Sequence, residues 1–217
     1  MLVCYLILMT AALTMVGGSS SGNPYGAIGF SRKMGMLLGY EVPLLISLLM
    51  VAYRSGFTLS FYDMFAAQSS SGAIFFASSW GAALASIVFL LCIPAAAGVV
   101  PFDIPEAKTE IVYGSLIEYG GPYLGLLKLG KEATNFTLSL LFFTLFMYLP
   151  AAIPALAASN VWLKLLFSLL GALLVYFFSI TLPRTIYARV KLRRALRFYT
   201  WVWALSLVSA GLMIIGL

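Results

Sequence analysis

Residues 34–53 read MGMLLGYEVPLLISLLMVAY, a run flanked by Lys33 and Arg54 and interrupted by one carboxylate, Glu41, and one proline, Pro43. As a helix it rises about 30 Å, the hydrocarbon thickness of a bilayer. The run therefore predicts a membrane span, and the rest of the chain is of the same kind: 62% of its 217 residues are hydrophobic and 9% are charged. Further apolar runs extend the reading to about six transmembrane helices, at 1–17, 34–54, 73–98, 135–158, 160–182 and 198–217, punctuated by GGSSSGNPYG, AAQSSSG and PAAIP. The expected fold is an all-α integral membrane protein, a single transmembrane domain over 1–217 with one acidic helical loop. At about 20 residues per span, almost nothing is left for a soluble catalytic domain.

The 13 Lys and Arg residues divide unevenly between alternate loops. Arg32, Lys33, Lys108, Lys128, Lys131, Arg184, Arg189, Lys191, Arg193, Arg194 and Arg197 fall on one side, and only Arg54 and Lys164 on the other. The positive-inside rule makes the first side cytoplasmic and leaves both termini outside. Within it, RTIYARVKLRRALR (residues 184–197) reads as a topology determinant in contact with lipid phosphates. The alternative makes Arg184, Arg189, Arg193 and Arg194 a docking surface for an acidic soluble partner. Nucleic acid is not an expected partner of a basic loop between spans. The chain has no histidine, and Cys4 and Cys92 lie far apart in apolar runs, so no metal-ligand spacing and no disulfide framework is present.

Four of the 7 acidic residues, Asp103, Glu106, Glu110 and Glu118, lie in PFDIPEAKTEIVYGSLIEYGGPYLGLLKL, residues 101–129. Asp103 is placed to cap a helix with Pro105 in its first turn and Glu106 closing a capping box. On an unbroken helix the four carboxylates fall within about 120° of arc, repel one another and suit proton passage. The plain alternative is a solvated acidic face. Glu41 is different, lying about 13 Å inside a span when measured from Arg32. A carboxylate there is expensive unless it faces protein or water, which makes it a functional-site candidate. Pro43 frees the carbonyl of Gly39 and offers water a way in. The structural alternative pairs Glu41 with Arg32 to hold helices together. Asp63 is expected in a solvated loop.

Three segments carry a resemblance: YGAIGFSRKMGMLLGYEVPL (Tyr25 to Leu44), PFDIPEAKTEIVYGSLIEYGGP (Pro101 to Pro122) and LPRTIYARVKLRR (Leu182 to Arg194). Over roughly residues 20 to 205 the chain resembles the respiratory complex I subunit 1 family, the membrane subunit that joins the peripheral and membrane arms, with relatives in the group 4 NiFe hydrogenases and formate hydrogenlyases. PFD-x-PEA followed by an EY-x-G pair is specific to it. The resemblance implies that Glu41, Asp103, Glu106, Glu110 and Glu118 lie along an acidic ion path, with Tyr40, Arg32, Lys108 and Tyr119 supporting it. Two departures stand out. The family pattern reads PEAE where this chain has Pro105, Glu106, Ala107 and Lys108. The family's amino-terminal spans are not in this sequence, and a separate chain or a further segment is expected to supply them.

GGPYLGLLKLGKEATNF looks more like the hydrogenase branch than the quinone branch, with Lys128 and Lys131 the discriminating residues. The resemblance then implies a ferredoxin-linked hydrogenase-type or sulfur-reducing complex in a prokaryotic plasma membrane, moving H+ or Na+. Iron-sulfur clusters, and a NiFe centre, would belong to hydrogenase-like and iron-sulfur peripheral subunits, beside antiporter-like membrane subunits. No cofactor, metal or catalytic centre is expected in this chain, which has no cysteine cluster and no Gly-rich phosphate loop. The rivals are the equivalent subunit of quinone-reducing complex I and, from another class, a free-standing secondary transporter with Glu41 as coupling carboxylate. A transporter would be expected to show repeat symmetry, and the sequence shows none.

Overall fold

A computed structural model describes residues 2–71, 74–148 and 160–216, with the side chains of residues 2, 4, 69–71, 108 and 109 left out of the description. The chain forms α1 (Leu2–Ser20), α2 (Pro24–Arg54), α3 (Phe61–Ser71), the single turn α4 (Phe75–Ser78), α5 (Trp80–Ala96) and the turn α6 (Lys108–Ile111). A 3-10 turn, Gly114–Leu116, leads to α7 (Gly121–Phe146). Then α8 (Val161–Tyr176) passes through a π turn, Phe177–Thr181, into α9 (Leu182–Ile186), and α10 (Leu192–Ile215) closes the chain. Among the described residues three helices are long and apolar enough to cross a membrane: Pro24–Arg54, Val161–Ile186 and Leu192–Ile215. Tyr5–Ser20 and Trp80–Ala96 are shorter apolar helices.

Helix boundaries move from the expected spans for local reasons. α2 starts at Pro24 and not at 34, because Asn23 caps it: Asn23 Oδ1 accepts the Tyr25 N–H at 2.9 Å, and Pro24 occupies the first helical position. α7 starts at Gly121 and not at 135, since Leu, Lys and Glu are good helix formers and Lys128, Lys131 and Glu132 do not interrupt it. The expected span 73–98 is divided at Ser79, whose extended backbone ends α4 and whose hydroxyl accepts the Ala82 N–H at 3.2 Å to cap α5. The last span begins at Leu192 and not at 198. Residues 149–158 of the expected fourth span lie outside the described residues. Asp63, expected in a loop, sits in the first turn of α3 and is exposed.

α2, α5 and α10 pack on one another, α7 joins α5 to α8, and α1 lies along α2. Two glycines bring backbones close. A Cβ on Gly39 would lie 3.3 Å from Tyr199, and one on Gly81 would lie 2.8 Å from the Met213 nitrogen. Phe89 of α5 packs on Phe142 and Phe146 of α7, at ring distances of 5.8 and 5.3 Å. Cys92 is a buried free thiol in this core, while the side chain of Cys4 lies outside the described residues. Pro43 leaves the carbonyl of Gly39 without its intrahelical donor. Trp203 of α10 donates its indole N–H to Gly39 O at 2.8 Å, so a partner helix satisfies the group.

Candidate functional site

Between α5 and α7 the chain does not make the expected helix. Val100–Pro101 is a cis bond, Phe102, Ile104 and Pro105 turn inward, and the only α-helical turn is Lys108–Ile111, whose N-cap is Ala107 and not Asp103. Val112, Tyr113 and Gly114 then all take positive φ, at 45°, 70° and 51°, which ends any right-handed run. The capping box and the single acidic face are therefore absent. Two forces override them. Proline disfavours helix in the residue before it, and the apolar Phe102 and Ile104 are buried: Phe102 stacks on Phe198 at 5.8 Å and meets Tyr199 at 5.2 Å.

The far end of this segment is held in a glycine notch. A Cβ on Gly29 would lie 2.8 Å from the Ser115 nitrogen, and one on Gly18 would collide with Ser115 itself. Only residues without a side chain on α1 and α2 let the Gly114–Leu116 turn sit on both helices.

With the segment pinned at both ends, each carboxylate meets a group from a different part of the fold. Asp103 Oδ2 accepts from Arg189 at 2.8 Å, and the neighbouring Val190 N–H donates to Pro101 O at 3.1 Å. Glu106 Oε2 accepts from Lys131 of α7 at 2.7 Å, and the same ammonium donates to Gly98 O at 3.2 Å. Glu110 Oε2 accepts from Arg32 of α2 at 2.5 Å. Glu118 Oε1 accepts from Asn23 Nδ2 at 2.7 Å, so Asn23 both caps α2 and holds the last acid. The four acids are thus separated and individually anchored, where one repelling face was expected. Arg32 serves Glu110 and not Glu41, and Arg189, expected as a docking residue, turns to Asp103.

Glu41 lies in the middle of α2, partly exposed on this chain, and takes part in none of the three ion pairs among the described residues. Its neighbour Tyr40 is buried in the core with Cys92 and Tyr199. Tyr119 lines a cleft of about 210 Å³ between α1 and α7, with its hydroxyl 2.6 Å from where a Cβ on Gly17 would stand. The side chain of Lys108 lies outside the described residues, while Arg184, Arg193 and Arg194 are exposed. Among the described residues no three or more Cys, Asp or Glu converge as a metal site.

Sequence reasoning misses three members of this neighbourhood. Lys33, which counts only as a topology charge in the sequence, donates to Thr14 Oγ1 of α1 and lies within electrostatic reach of both Glu106 and Lys131. Asn23 reads there only as turn punctuation. Glu132 carries no mark of its own; its Oε2 accepts the Tyr176 hydroxyl at 2.8 Å and faces Asn135 Nδ2 at 3.5 Å. The available signal was its place beside Lys131 ahead of a long apolar run.

Known proteins agree with this architecture. The NADH dehydrogenase family profile matches residues 1–216. The H subunit of the NADH-quinone oxidoreductase of Geobacillus sp. is 32% identical over 178 residues, covering 81% of this chain and 51% of the relative. The H 1 subunit of the NADH-quinone oxidoreductase of Symbiobacterium thermophilum is 31% identical over 217 residues, covering 97% of this chain and 62% of the relative. The chain thus spans about half to three-fifths of the length of the curated relatives it matches. Among solved structures, the membrane-bound sulfane sulfur reductase, an archaeal respiratory membrane complex, superposes with a TM-score of 0.76 at 32% identity over 91% of this chain and 63% of that one. On a match that covers nearly every residue, the chain belongs to the NADH dehydrogenase family, which includes the H subunits of NADH-quinone oxidoreductases.

Proposed function

We propose that the chain is the membrane anchor and ion-path subunit of a multi-subunit, ferredoxin-linked respiratory complex of the membrane-bound hydrogenase or sulfur-reducing type. It has no redox centre of its own and couples electron transfer in peripheral subunits to H+ or Na+ movement. The observation that carries this reading is the wiring of the acidic segment: Asp103, Glu106 and Glu110 are each paired with a cation from a different part of the chain. A proton taken up at Glu106 neutralises the partner of Lys131, and Lys33 beside it adds a second positive charge to the released one. The cost of an uncompensated, partly buried ammonium favours a shift of α7 against α2. Protonation at the loop is thereby felt by the helices, and Glu41 in mid-helix is the next carboxylate along α2.

In this reading α1, α5 and α7 join the three long helices to make six crossings. The end bearing Arg32, Lys33, Lys131 and Arg189 faces the cytoplasm, where peripheral hydrogenase-like and iron-sulfur subunits cover the 101–131 segment. Antiporter-like membrane subunits flank the bundle. Introduced cysteines near Lys108 and Arg193 are expected to react from the inner side; reaction from outside only would reverse the orientation.

The names of the curated relatives favour a second reading, the equivalent subunit of a quinone-reducing complex. One assay separates the two. The complex is expected to turn over with reduced ferredoxin and no added quinone. Activity that requires quinone, or that a quinone analogue abolishes, moves the assignment to complex I. A lone chain after gentle detergent purification would instead favour a free-standing transporter.

A further inference from the structure

The segment from Arg184 to Arg197 carries six cations, only one of which, Arg189, pairs with an acid among the described residues. Arg193, Arg194 and Arg197 are exposed on the first turns of α10, a helix long and apolar enough to span a membrane. Directly below Arg194, at spacings of 4, 7 and 11 residues along one face, come Phe198, Trp201 and Leu205. All three are exposed, Trp201 at 70%. The column therefore runs from guanidinium through an aromatic step to aliphatic side chain, in the order that a phospholipid presents phosphate, glycerol backbone and acyl chain.

We infer that this face of α10 binds an anionic phospholipid, its phosphate held by Arg193, Arg194 and Arg197 and one acyl chain lying along Phe198, Trp201 and Leu205. An acidic soluble subunit would complement the cations but would leave the apolar column beneath them uncovered, whereas a lipid matches both. Phe198 stacks on Phe102, and Arg189 holds Asp103. The lipid would thus brace the loop that begins the acidic segment. The inference rests on exposure and charge in the membrane setting and not on the ion-path reading.

The test uses the intact complex reconstituted in phosphatidylcholine vesicles containing either brominated phosphatidylglycerol or brominated phosphatidylcholine, with the Trp201 signal isolated by subtracting a Trp201→Phe variant. Trp201 is expected to be quenched preferentially by the anionic lipid, and the preference is expected to fall with rising salt. It should drop about fivefold for each arginine lost in R193Q, R194Q and R197Q. The charge-preserving R193K, R194K and R197K variants should retain most of it, and remain informative if the glutamine variants fail to assemble. Equal quenching by both lipids, no quenching at all, or a preference indifferent to salt would overturn the inference. Loss of peripheral subunits from the glutamine variants with lipid preference unchanged would assign the patch to an acidic protein partner instead.

Discussion

α5 and the segment from Pro101 to Glu118 are neighbours in sequence and opposites in construction. α5 contains no charged residue, and Ala82, Ala85, Phe89, Cys92 and Ile93 are wholly buried along it. Its place is set mainly by close, non-directional packing against α2, α7 and α10, to which the Tyr199 hydroxyl adds one hydrogen bond, donated to Leu91 O at 3.3 Å. The acidic segment has only one helical turn and one 3-10 turn of its own, and is held by charge pairs and hydrogen bonds to four other places in the chain. One region is held by volume, and the other by charge.

The sharpest way to break this contrast is volume. Gly81→Val is expected to destabilise the fold by about 3 kcal/mol, because its new atoms meet the Met213 backbone, which cannot rotate away. Thermal unfolding in detergent reads this directly. A melt like that of the unmodified protein would mean that the α5–α10 contact is loose.

Charge comes next. Glu106→Gln leaves Lys131 and Lys33 without their carboxylate, in a site between surface and interior, with side chains of Lys131 and Glu106 30% and 19% exposed. A loss of about 1–3 kcal/mol is expected. Adding Lys131→Met should return most of it, while ion translocation coupled to turnover stays low in both. A double variant no more stable than the single one would show that the pair does not hold the loop.

A smaller effect tests the helix break. Trp203→Phe removes the donor to Gly39 O and should cost about 0.5–1.5 kcal/mol. In a Pro43→Ala background the residue 43 N–H reclaims that carbonyl, and the same change should cost much less. Equal costs in the two backgrounds would disprove the link between Pro43 and Trp203.

The smallest stability effects are expected at Glu110 and Glu41. Glu110→Gln breaks a pair whose carboxylate side chain is 58% exposed and should change stability by less than about 0.5 kcal/mol. Glu41→Gln should be similarly mild in stability yet abolish coupled ion movement in the assembled complex. Full coupling in that variant would return Glu41 to a structural role.

The three long apolar helices were legible because apolar length is an additive property of neighbouring residues. α2 and α10 follow from that alone, apart from their ends. The ends escape a hydrophobicity reading where a cap decides them, as at Asn23, which puts the start of α2 before the charged residues Arg32 and Lys33. The candidate acids were legible as a cluster, but their arrangement was not. Helical spacing suggests a shared face, and the left-handed run Val112 to Gly114 forbids it. Glu132 and Lys33 escape notice because nothing adjacent to them marks them; their partners Tyr176 and Thr14 are 44 and 19 residues away.

Hydrophobicity and the PFD-x-PEA pattern, both read from residues close together, determined that this is a helical membrane chain of the NADH dehydrogenase family with four of its seven acids in one segment. Which acid meets which partner was decided only by tertiary structure. Arg32 and Glu110 are 78 residues apart, Asp103 and Arg189 are 86, and Asn23 and Glu118 are 95. A hydrogen-bonded contact needs its two groups within about 3 Å, so such pairs exist only after helix packing and a glycine notch have brought distant segments within reach.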